Sequence, residues 1–423
     1  MLSSFKIDNF KALNDFHLPD PSDGELGELV CLIGLNGSGK STVLQALDFV
    51  SQLATGDVKK WLLARGWSRS DLVSKFSKRR NITFQLKYVL SERCELIWKA
   101  VYSPLAGRCS REELRYKSLV DADDALPNGD VVFSHDGAIL KSDFGLRKEI
   151  ISDFEGSLFN KLKVVHLSID ERYRFVIYLM RYFLGGMKSL ELLNPAAMRK
   201  SSKKAVDVGL GGEDLAAFIH GLSEDERNLF LQKISSIYPS VNDVKARAAR
   251  YGWKRVFVSE SFGAGAELDA RHANDGLLRI SAVVAQTVAL SAAVRASRSK
   301  DGNIGNPDQK GYQVLLMDEI ENGINPEVIQ RLVDYLVEVR QQVIFTTHSP
   351  MILNYMQDDL ARESVFLMHR RVDGAASVVP FYTIPSVAER LEVMGPGEAF
   401  ADVSLVELSK LNGERAGVAD SIW

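Results

Sequence analysis

The stretch Gly34-Leu-Asn-Gly-Ser-Gly-Lys-Ser41 decides the fold class of this chain. It follows the fully apolar run Leu29–Ile33 and precedes Val43–Val50, where apolar residues recur at helical spacing. A glycine-rich loop between a buried strand and a helix can curl tightly enough to turn its backbone N–H groups toward phosphate oxygens. The helix that follows directs the positive end of its dipole at the same anion. The stretch therefore predicts a phosphate-binding loop.

The residues of this loop have separate expected roles. Lys40 would reach the β- and γ-phosphates of a nucleoside triphosphate, and Ser41 would give its hydroxyl group to Mg²⁺. The sequence therefore predicts ATP and Mg²⁺ as the bound cofactors. The other candidate nucleotide-binding residues are Asn36, Gly37, Ser38, Gly39 and Thr42.

A second apolar strand, Val314–Met317, ends in Asp318 and Glu319. Asp318 is placed to hold Mg²⁺ through water, and Glu319 to polarise an attacking water molecule. Taken alone, a strand that ends in a solvated acidic turn is an equally ordinary interpretation. The phosphate-binding loop favours the catalytic interpretation, because the carboxyl ends of parallel strands meet at one edge of a sheet.

A third apolar strand, Val343–Thr347, is followed by His348. His348 lies 30 residues after Asp318 (348 − 318), which leaves room for one helix and a return to the sheet. A lone histidine is usually structural. Its place at a strand end, in this order along the chain, favours a sensor of the γ-phosphate, because imidazole can donate or accept a hydrogen bond.

These motifs resemble those of the ABC-type ATPases of the SMC/RecF-like branch, within the AAA family ATPases of bacterial defence and repair systems. The resemblance rests on GLNGSGKS, VLLMDEIENGINP and VIFTTHSP, in that order, and on His272-Ala-Asn-Asp-Gly-Leu-Leu-Arg279. The last segment is similar to the family's shortened signature motif, Ser-Asp-Gly-x-x-Arg, at Asn274, Asp275 and Gly276. Asn274 stands where serine is common, but an amide can still donate a hydrogen bond.

The resemblance implies a mechanism. Two subunits would hold two ATP molecules between the phosphate-binding loop of one and the signature motif of the other. Hydrolysis that depends on Glu319 would then release the dimer. The glutamine of the family's Q-loop stays unassigned, because Gln52 lies too close to the phosphate-binding loop.

The alternation of apolar strands and helices predicts an α/β fold with a mainly parallel sheet. The resemblance covers residues 1–55 and 240–380, which we expect to form a discontinuous ABC-type head. Lys40 and Asp318 are 278 positions apart (318 − 40), more than one compact domain needs. The sequence therefore predicts an insertion at 56–239, β-rich and then helical, between the phosphate-binding loop and the signature motif. Residues 381–423 are expected to form a tail that packs on the head.

Composition limits the kinds of partner. The 423 residues are 46% hydrophobic and carry a net charge of −3, so any nucleic-acid contact requires a local patch. The basic segment Lys245–Arg255, with Tyr251 and Trp253, is a candidate DNA contact, although a solvated strand face is the favoured interpretation. No apolar run approaches about 18 residues, so we expect no transmembrane helix. Three cysteines without a CxxC motif favour reduced thiols in the cytoplasm.

Two functions remain open on the sequence. The first is an ATPase that forms a homodimer or a higher homo-oligomer with ATP and acts as a sensor or clamp in prokaryotic anti-phage defence or DNA repair. Because the sequence shows no nuclease signature, the effector would be a separate polypeptide. The second is a regulatory scaffold that holds an effector with slow ATP turnover and no direct DNA contact. A transporter subunit is disfavoured, because the LSGGQ motif is absent.

Overall fold

A computed structural model describes residues 1–55, 58–91, 94–118, 131–136, 140–141, 154–160, 171–261, 266–301 and 313–415. The strands lie in three sheets. In chain order they are β1 (Leu2–Asp8), β2 (Phe16–Leu18), β3 (Leu29–Ile33), β4 (Ile82–Ser91), β5 (Cys94–Ser103), β6 (Arg108–Ser118), β7 (Val131–His135), β8 (Leu140–Lys141), β9 (Met187–Ser189), β10 (Val241–Ala248), β11 (Lys254–Glu260), β12 (Glu267–Asp269), β13 (Val314–Met317), β14 (Gln342–Thr346), β15 (Val365–Arg370) and β16 (Ala376–Pro380).

The helices cover and connect these sheets. In chain order they are α1 (Lys40–Thr55), α2 (Val58–Arg65), α3 (Glu171–Gly185), α4 (Pro195–Met198), α5 (Leu215–Gly221), α6 (Glu224–Ile237), α7 (Asp275–Asp301), α8 (Pro326–Glu338), α9 (Pro350–Asn354), α10 (Asp358–Ser364), α11 (Pro385–Leu391), α12 (Pro396–Ala401) and α13 (Leu405–Arg415).

The head sheet has the strand order β16-β15-β3-β14-β13-β9. All of its pairings are parallel except that of β15 with β16, as the sequence predicts for a mainly parallel sheet. The three central strands β3, β14 and β13 are buried along their whole length. Their carboxyl ends therefore bring the phosphate-binding loop, His348 and Asp318 to one edge of the sheet.

The central strands are mostly apolar because the sheet has a hydrophobic core on each face. Along β3, Val30 and Leu32 pack into one core, whereas Leu29, Cys31 and Ile33 pack into the other. Successive side chains of a strand point to opposite faces, so a strand covered on both sides has few polar positions. The first core also contains α1 and the second contains α7 and α8.

The second sheet contains strands from both sides of the boundary expected at residue 55. Its seven strands, in the order β2-β1-β4-β5-β6-β7-β8, are antiparallel, and β1 of the head pairs directly with β4. In the head sheet, β9 likewise pairs with β13 although it falls within 56–239. The physical reason is that the backbone groups of β1 need a second partner strand, and the chain supplies it about 75 residues later. The expected insertion thus shares both sheets with the head.

The third sheet is a hairpin with one added strand, in the order β10-β11-β12. Its strands β10 and β11 pair antiparallel around a turn at Arg250–Gly252, and β12 pairs with β11. A single 3₁₀ turn, Ala270–His272, then leads from β12 into α7. The hairpin therefore stands immediately before the segment Asn274–Gly276.

Candidate functional site

The phosphate-binding loop depends on glycine at fixed positions. Gly34, Gly37 and Gly39 have φ angles of +143°, +78° and +111°, which side chains other than hydrogen rarely allow. A Cβ atom at position 34 would also lie 2.3 Å from the carbonyl oxygen of Met368, on the adjacent strand β15. The loop can therefore lie against β15 only with glycine at this position.

Lys40 begins α1 and points back along this loop. Its Nζ atom donates hydrogen bonds to the carbonyl oxygens of Gly34, at 2.9 Å, and Leu35, at 3.2 Å. Burial lowers the pKa of Lys40, and the nearby carboxylates of Asp318 and Glu319 oppose that shift. The structure thus brings the predicted phosphate-binding cation and the predicted acidic pair together.

The loop has donor groups that suit a phosphate. The side chain of Ser38 is buried, and its hydroxyl group has no hydrogen-bond partner in the part of the chain described. A buried, unpaired hydroxyl group is unfavourable, and an anionic oxygen would satisfy it. Ser41 and Thr42 lie half-buried in the first turn of α1, and Asn36 is exposed at the loop tip. Together with the glycine geometry, these donors fit the phosphates of a nucleotide.

Asp318 and Glu319 lie directly after β13 and are fixed by Thr346 on the neighbouring strand β14. The Thr346 hydroxyl donates to Asp318 Oδ1 and accepts from the backbone N–H of Glu319, at 2.9 Å. Glu319 has a φ angle of +47°, in the left-handed region that residues with a side chain rarely adopt. One hydroxyl group therefore holds both acids and the unfavourable backbone between them.

The carboxylate of Glu319 lies between two polar side chains. Asn322 Nδ2 donates to Glu319 Oε2 at 2.5 Å, and His348 Nε2 lies 3.7 Å from Glu319 Oε1. The side chains of Glu319 and His348 remain 43% and 36% exposed. They can therefore meet a water molecule or a ligand from solvent.

Glu321 was not selected from the sequence as a site residue. Its Oε1 atom accepts from the Thr347 hydroxyl at 3.0 Å and from the backbone N–H of His348 at 2.8 Å. Its Oε2 atom is buried with no partner among the described residues. Glu321 therefore fixes the backbone of His348. The only sequence signal was its place two residues after Glu319.

Glu191 was also missed, because β9 is too short to recognise by pattern. It accepts from Gln45 Nε2 at 2.7 Å and from an Arg65 guanidinium N–H at 2.9 Å. Burial raises the pKa of Glu191, and Arg65 opposes the shift. Glu191 lines a cavity of about 340 Å³ together with Arg279, Asp318, Glu319 and Asn322. Gln52 instead donates to Asp48 on α1, so the family's Q-loop glutamine stays unassigned.

The predicted signature segment lies at the start of α7. Asn274 Oδ1 accepts from the backbone N–H of Gly276 at 2.7 Å, and Arg199 forms an ion pair with Asp275. A Cβ atom at position 276 would lie 2.5 Å from the carbonyl oxygen of Gly323, in the turn after Glu319. Asn274 and Asp275 are exposed, whereas Gly276 is buried against that turn. A phosphate contact by Asn274 would therefore use the amide nitrogen, since its oxygen caps the helix.

Comparisons with known proteins agree with this geometry. A family model described as an AAA ATPase domain matches residues 1–176. A second, described as an AAA domain, putative AbiEii toxin, Type IV TA system, matches residues 145–354. Both models describe AAA-family ATPase domains, and together they span residues 1–354. No curated protein matches it.

One solved structure shows the fold of this ATPase. An Smc head domain with an extended coiled coil, bound to the C-terminal domain of ScpA and derived from Pyrococcus furiosus, matches with a TM-score of 0.51 and 11% identity, over 92% of this chain and 99% of that one. An SmcHead bound to the C-winged helix domain of ScpA gives a TM-score of 0.49 and 13% identity, over 89% and 97% of the two chains. The first match confirms the predicted ABC-type head fold.

Among the described residues, no helix is long and apolar enough to cross a membrane.

Proposed function

We propose that this ATPase binds Mg-ATP at the edge of the head sheet, dimerises or forms a higher oligomer with it, and acts as a sensor or clamp in prokaryotic anti-phage defence or DNA repair. One observation carries the proposal: Lys40, Asp318, Glu319 and His348 meet at one sheet edge. The exposed Asn274 and Asp275 support the dimer, since a second subunit can reach them. A separate effector, such as a nuclease, would carry out the response.

The chain's own residues divide the work at this site. ATP supplies the transferable γ-phosphoryl group, and Mg²⁺ offsets its negative charge when both are bound. Lys40 would exchange its bonds to loop carbonyl oxygens for bonds to phosphate oxygens. Ser41 and Asp318 offer the hydroxyl and carboxylate oxygens that Mg²⁺ prefers. Glu319 would orient and deprotonate the attacking water, with His348 as its neighbour.

The context of defence or repair rests on the family description. The model that matches residues 145–354 is named for a putative AbiEii toxin of a Type IV toxin–antitoxin system. The SMC head from Pyrococcus furiosus is described as bound to a partner protein, ScpA. By analogy, this head would act with a partner polypeptide.

The first experiment measures the solution mass of Glu319→Gln with and without Mg-ATP, by light scattering on a sizing column. The substitution should keep ATP bound while hydrolysis is slowed, so that ATP converts a smaller species into a stable dimer or locks an oligomer. Lys40→Ala, which should weaken nucleotide binding, is the control.

Asn274→Arg added to Glu319→Gln should weaken the ATP-dependent species, because it places a bulky cation at the exposed signature segment. If the solution mass of Glu319→Gln does not change with ATP although ATP binds, the clamp mechanism is wrong. The regulatory scaffold with slow ATP turnover would then describe the protein better.

A further inference from the structure

The turn of the β10–β11 hairpin exposes two aromatic side chains. Tyr251 is 89% exposed and has a φ angle of +59°, and Trp253 is 40% exposed. A left-handed backbone is unfavourable for a tyrosine, and an exposed aromatic ring gains nothing from burial. Burial and backbone conformation in the folded chain therefore give no reason for a tyrosine at position 251.

The hairpin turn is also basic, unlike the chain as a whole. Residues 199–206 and 247–256 each contain four lysine or arginine residues and no aspartate or glutamate. The two segments are joined, because Ser202 and Lys254 exchange backbone hydrogen bonds of 3.2 and 2.8 Å. Lys203 Nζ lies 4.9 Å from the ring centroid of Trp253. We call the joined residues 200–206 and 249–254 the basic tip.

The cations of the tip differ from those of the hairpin stem. In the stem, Arg247 pairs with Glu267 at 2.8 Å and Lys245 pairs with the same carboxylate at 3.3 Å. The stem thus fits the solvated strand face that the sequence favoured. The following tip cations form no ion pair with any carboxylate of the described residues: Lys200, Lys203, Lys204, Arg250 and Lys254.

The basic tip is connected to the signature segment through Arg199. An Arg199 guanidinium N–H donates to the carbonyl oxygen of Ala273 at 2.8 Å, and the same group forms an ion pair with Asp275. Arg199 is three residues from Ser202, whose backbone is paired to the hairpin. Arg199 therefore provides a direct contact between the tip and the start of α7.

We propose that the basic tip binds single-stranded nucleic acid and that Arg199 transmits this binding to the signature segment. Unpaired cations attract the phosphates, and exposed aromatic rings stack on unpaired bases, a combination that suits single strands. The transmission step rests on the ATP-dependent dimer proposed above. The binding step does not, because the tip is complete in one chain.

Binding is tested by fluorescence anisotropy on the full chain without nucleotide, using a labelled 20-nucleotide single-stranded DNA, the RNA of the same sequence and the DNA duplex. Tyr251→Ala should weaken single-strand binding about tenfold, the size of one lost base stack. Arg250→Glu should weaken it and flatten the dependence on log salt concentration by roughly 0.7 to 1. Arg331→Glu, an exposed arginine of α8, is the charge-matched control and should change neither.

A preference of the tip for the DNA strand or for the RNA strand then shows which sugar it favours. Either preference supports the proposal. Stronger binding of the duplex than of either single strand, or equal binding by Tyr251→Ala and the wild-type chain, would overturn it.

Transmission is tested as the ratio of ATPase rates with and without a saturating single strand. Arg199→Ala should keep the strand affinity within about twofold and bring this ratio close to 1. Arg199→Lys, which keeps a charge for Asp275, should restore part of the ratio. A full ratio in Arg199→Ala would show that the signal does not pass through this residue. If single strands bind but the mass of Glu319→Gln does not change with ATP, the proposed ATP-dependent clamp is wrong. The proposal that the tip binds single strands is then still supported.

Discussion

Glu319 shows how one residue can serve chemistry at a cost to stability. Its left-handed backbone is unfavourable by roughly 1–2 kcal/mol for a residue with a side chain, whereas glycine adopts it freely. We therefore expect Glu319→Gly to unfold at a higher temperature than Glu319→Ala, by about 1–3 °C, since both lose the same carboxylate. Differential scanning calorimetry of the two variants measures this. Equal melting temperatures would mean that the turn relaxes once the carboxylate is gone.

The same residue should separate binding from turnover. Glu319→Gln keeps the volume of the side chain and the backbone bond to Thr346, but it removes the charge that would activate water. We expect kcat to fall by about 10²- to 10⁴-fold, while the Kd for ATP stays within a few-fold. Phosphate release and fluorescent-nucleotide titration measure the two quantities. Asn322→Ala, which only removes a partner of Glu319, should lower kcat much less. An equal loss would show that the Asn322 hydrogen bond matters as much as the charge of Glu319.

At the scale of elements, a buried ionic network joins α1, α2 and the loop after β9. Arg65 pairs with Asp48 at 2.8 Å and with Glu191 at 2.9 Å, and all three side chains are at most 4% exposed. Arg65→Met would leave two buried carboxylates without a counter-charge, which costs about 3–5 kcal/mol. Glu191→Gln should reduce stability less, because Arg65 keeps its ion pair with Asp48. Thermal unfolding of the two variants compares them.

The pH dependence of Arg65→Met has a definite sign. Burial already raises the pKa of Glu191, and losing Arg65 removes the largest contribution that opposes this shift. A carboxyl group whose folded pKa is raised binds its proton more tightly in the folded state, so the variant regains stability as pH falls through that value. The stability gap to the wild-type chain should therefore be smaller at pH 5.5 than at pH 8. A gap that widens on acidification would place the loss elsewhere than at Glu191.

For the whole molecule, the sequence predicted what local pattern determines and missed what distant pairing determines. The strands ending at Ile33, Met317 and Thr346 could be predicted because burial on both faces makes them mostly apolar. The three residues of β9 carry too little pattern, so Glu191 was missed. The pairing of β1 with β4 depends on backbone groups far apart in the chain, and no side-chain pattern near residue 55 reveals it. The roles of the site residues remain predictions until the variants are measured.

That pairing makes a final prediction about the whole molecule. Phe84 on β4 is fully buried, packs on Trp98 with ring centroids 4.9 Å apart, and belongs to the core that also holds Val30 and Leu32 of β3. Phe84→Ala should cost about 3–5 kcal/mol. Because one core joins the two sheets, amide hydrogen exchange should speed up in β13 and β14 as well as in β4 and β5.

The matched control is Leu105→Ala, since Leu105 is 95% exposed and should change neither stability nor exchange. Faster exchange confined to β4 and β5 would show that the antiparallel sheet unfolds by itself. The boundary expected near residue 55 would then describe the energetics even though it does not describe the strand pairing. Faster exchange in both sheets would make the antiparallel sheet part of the ATPase head. A loss of packing in that sheet would then also destabilise the strands that precede Asp318 and His348.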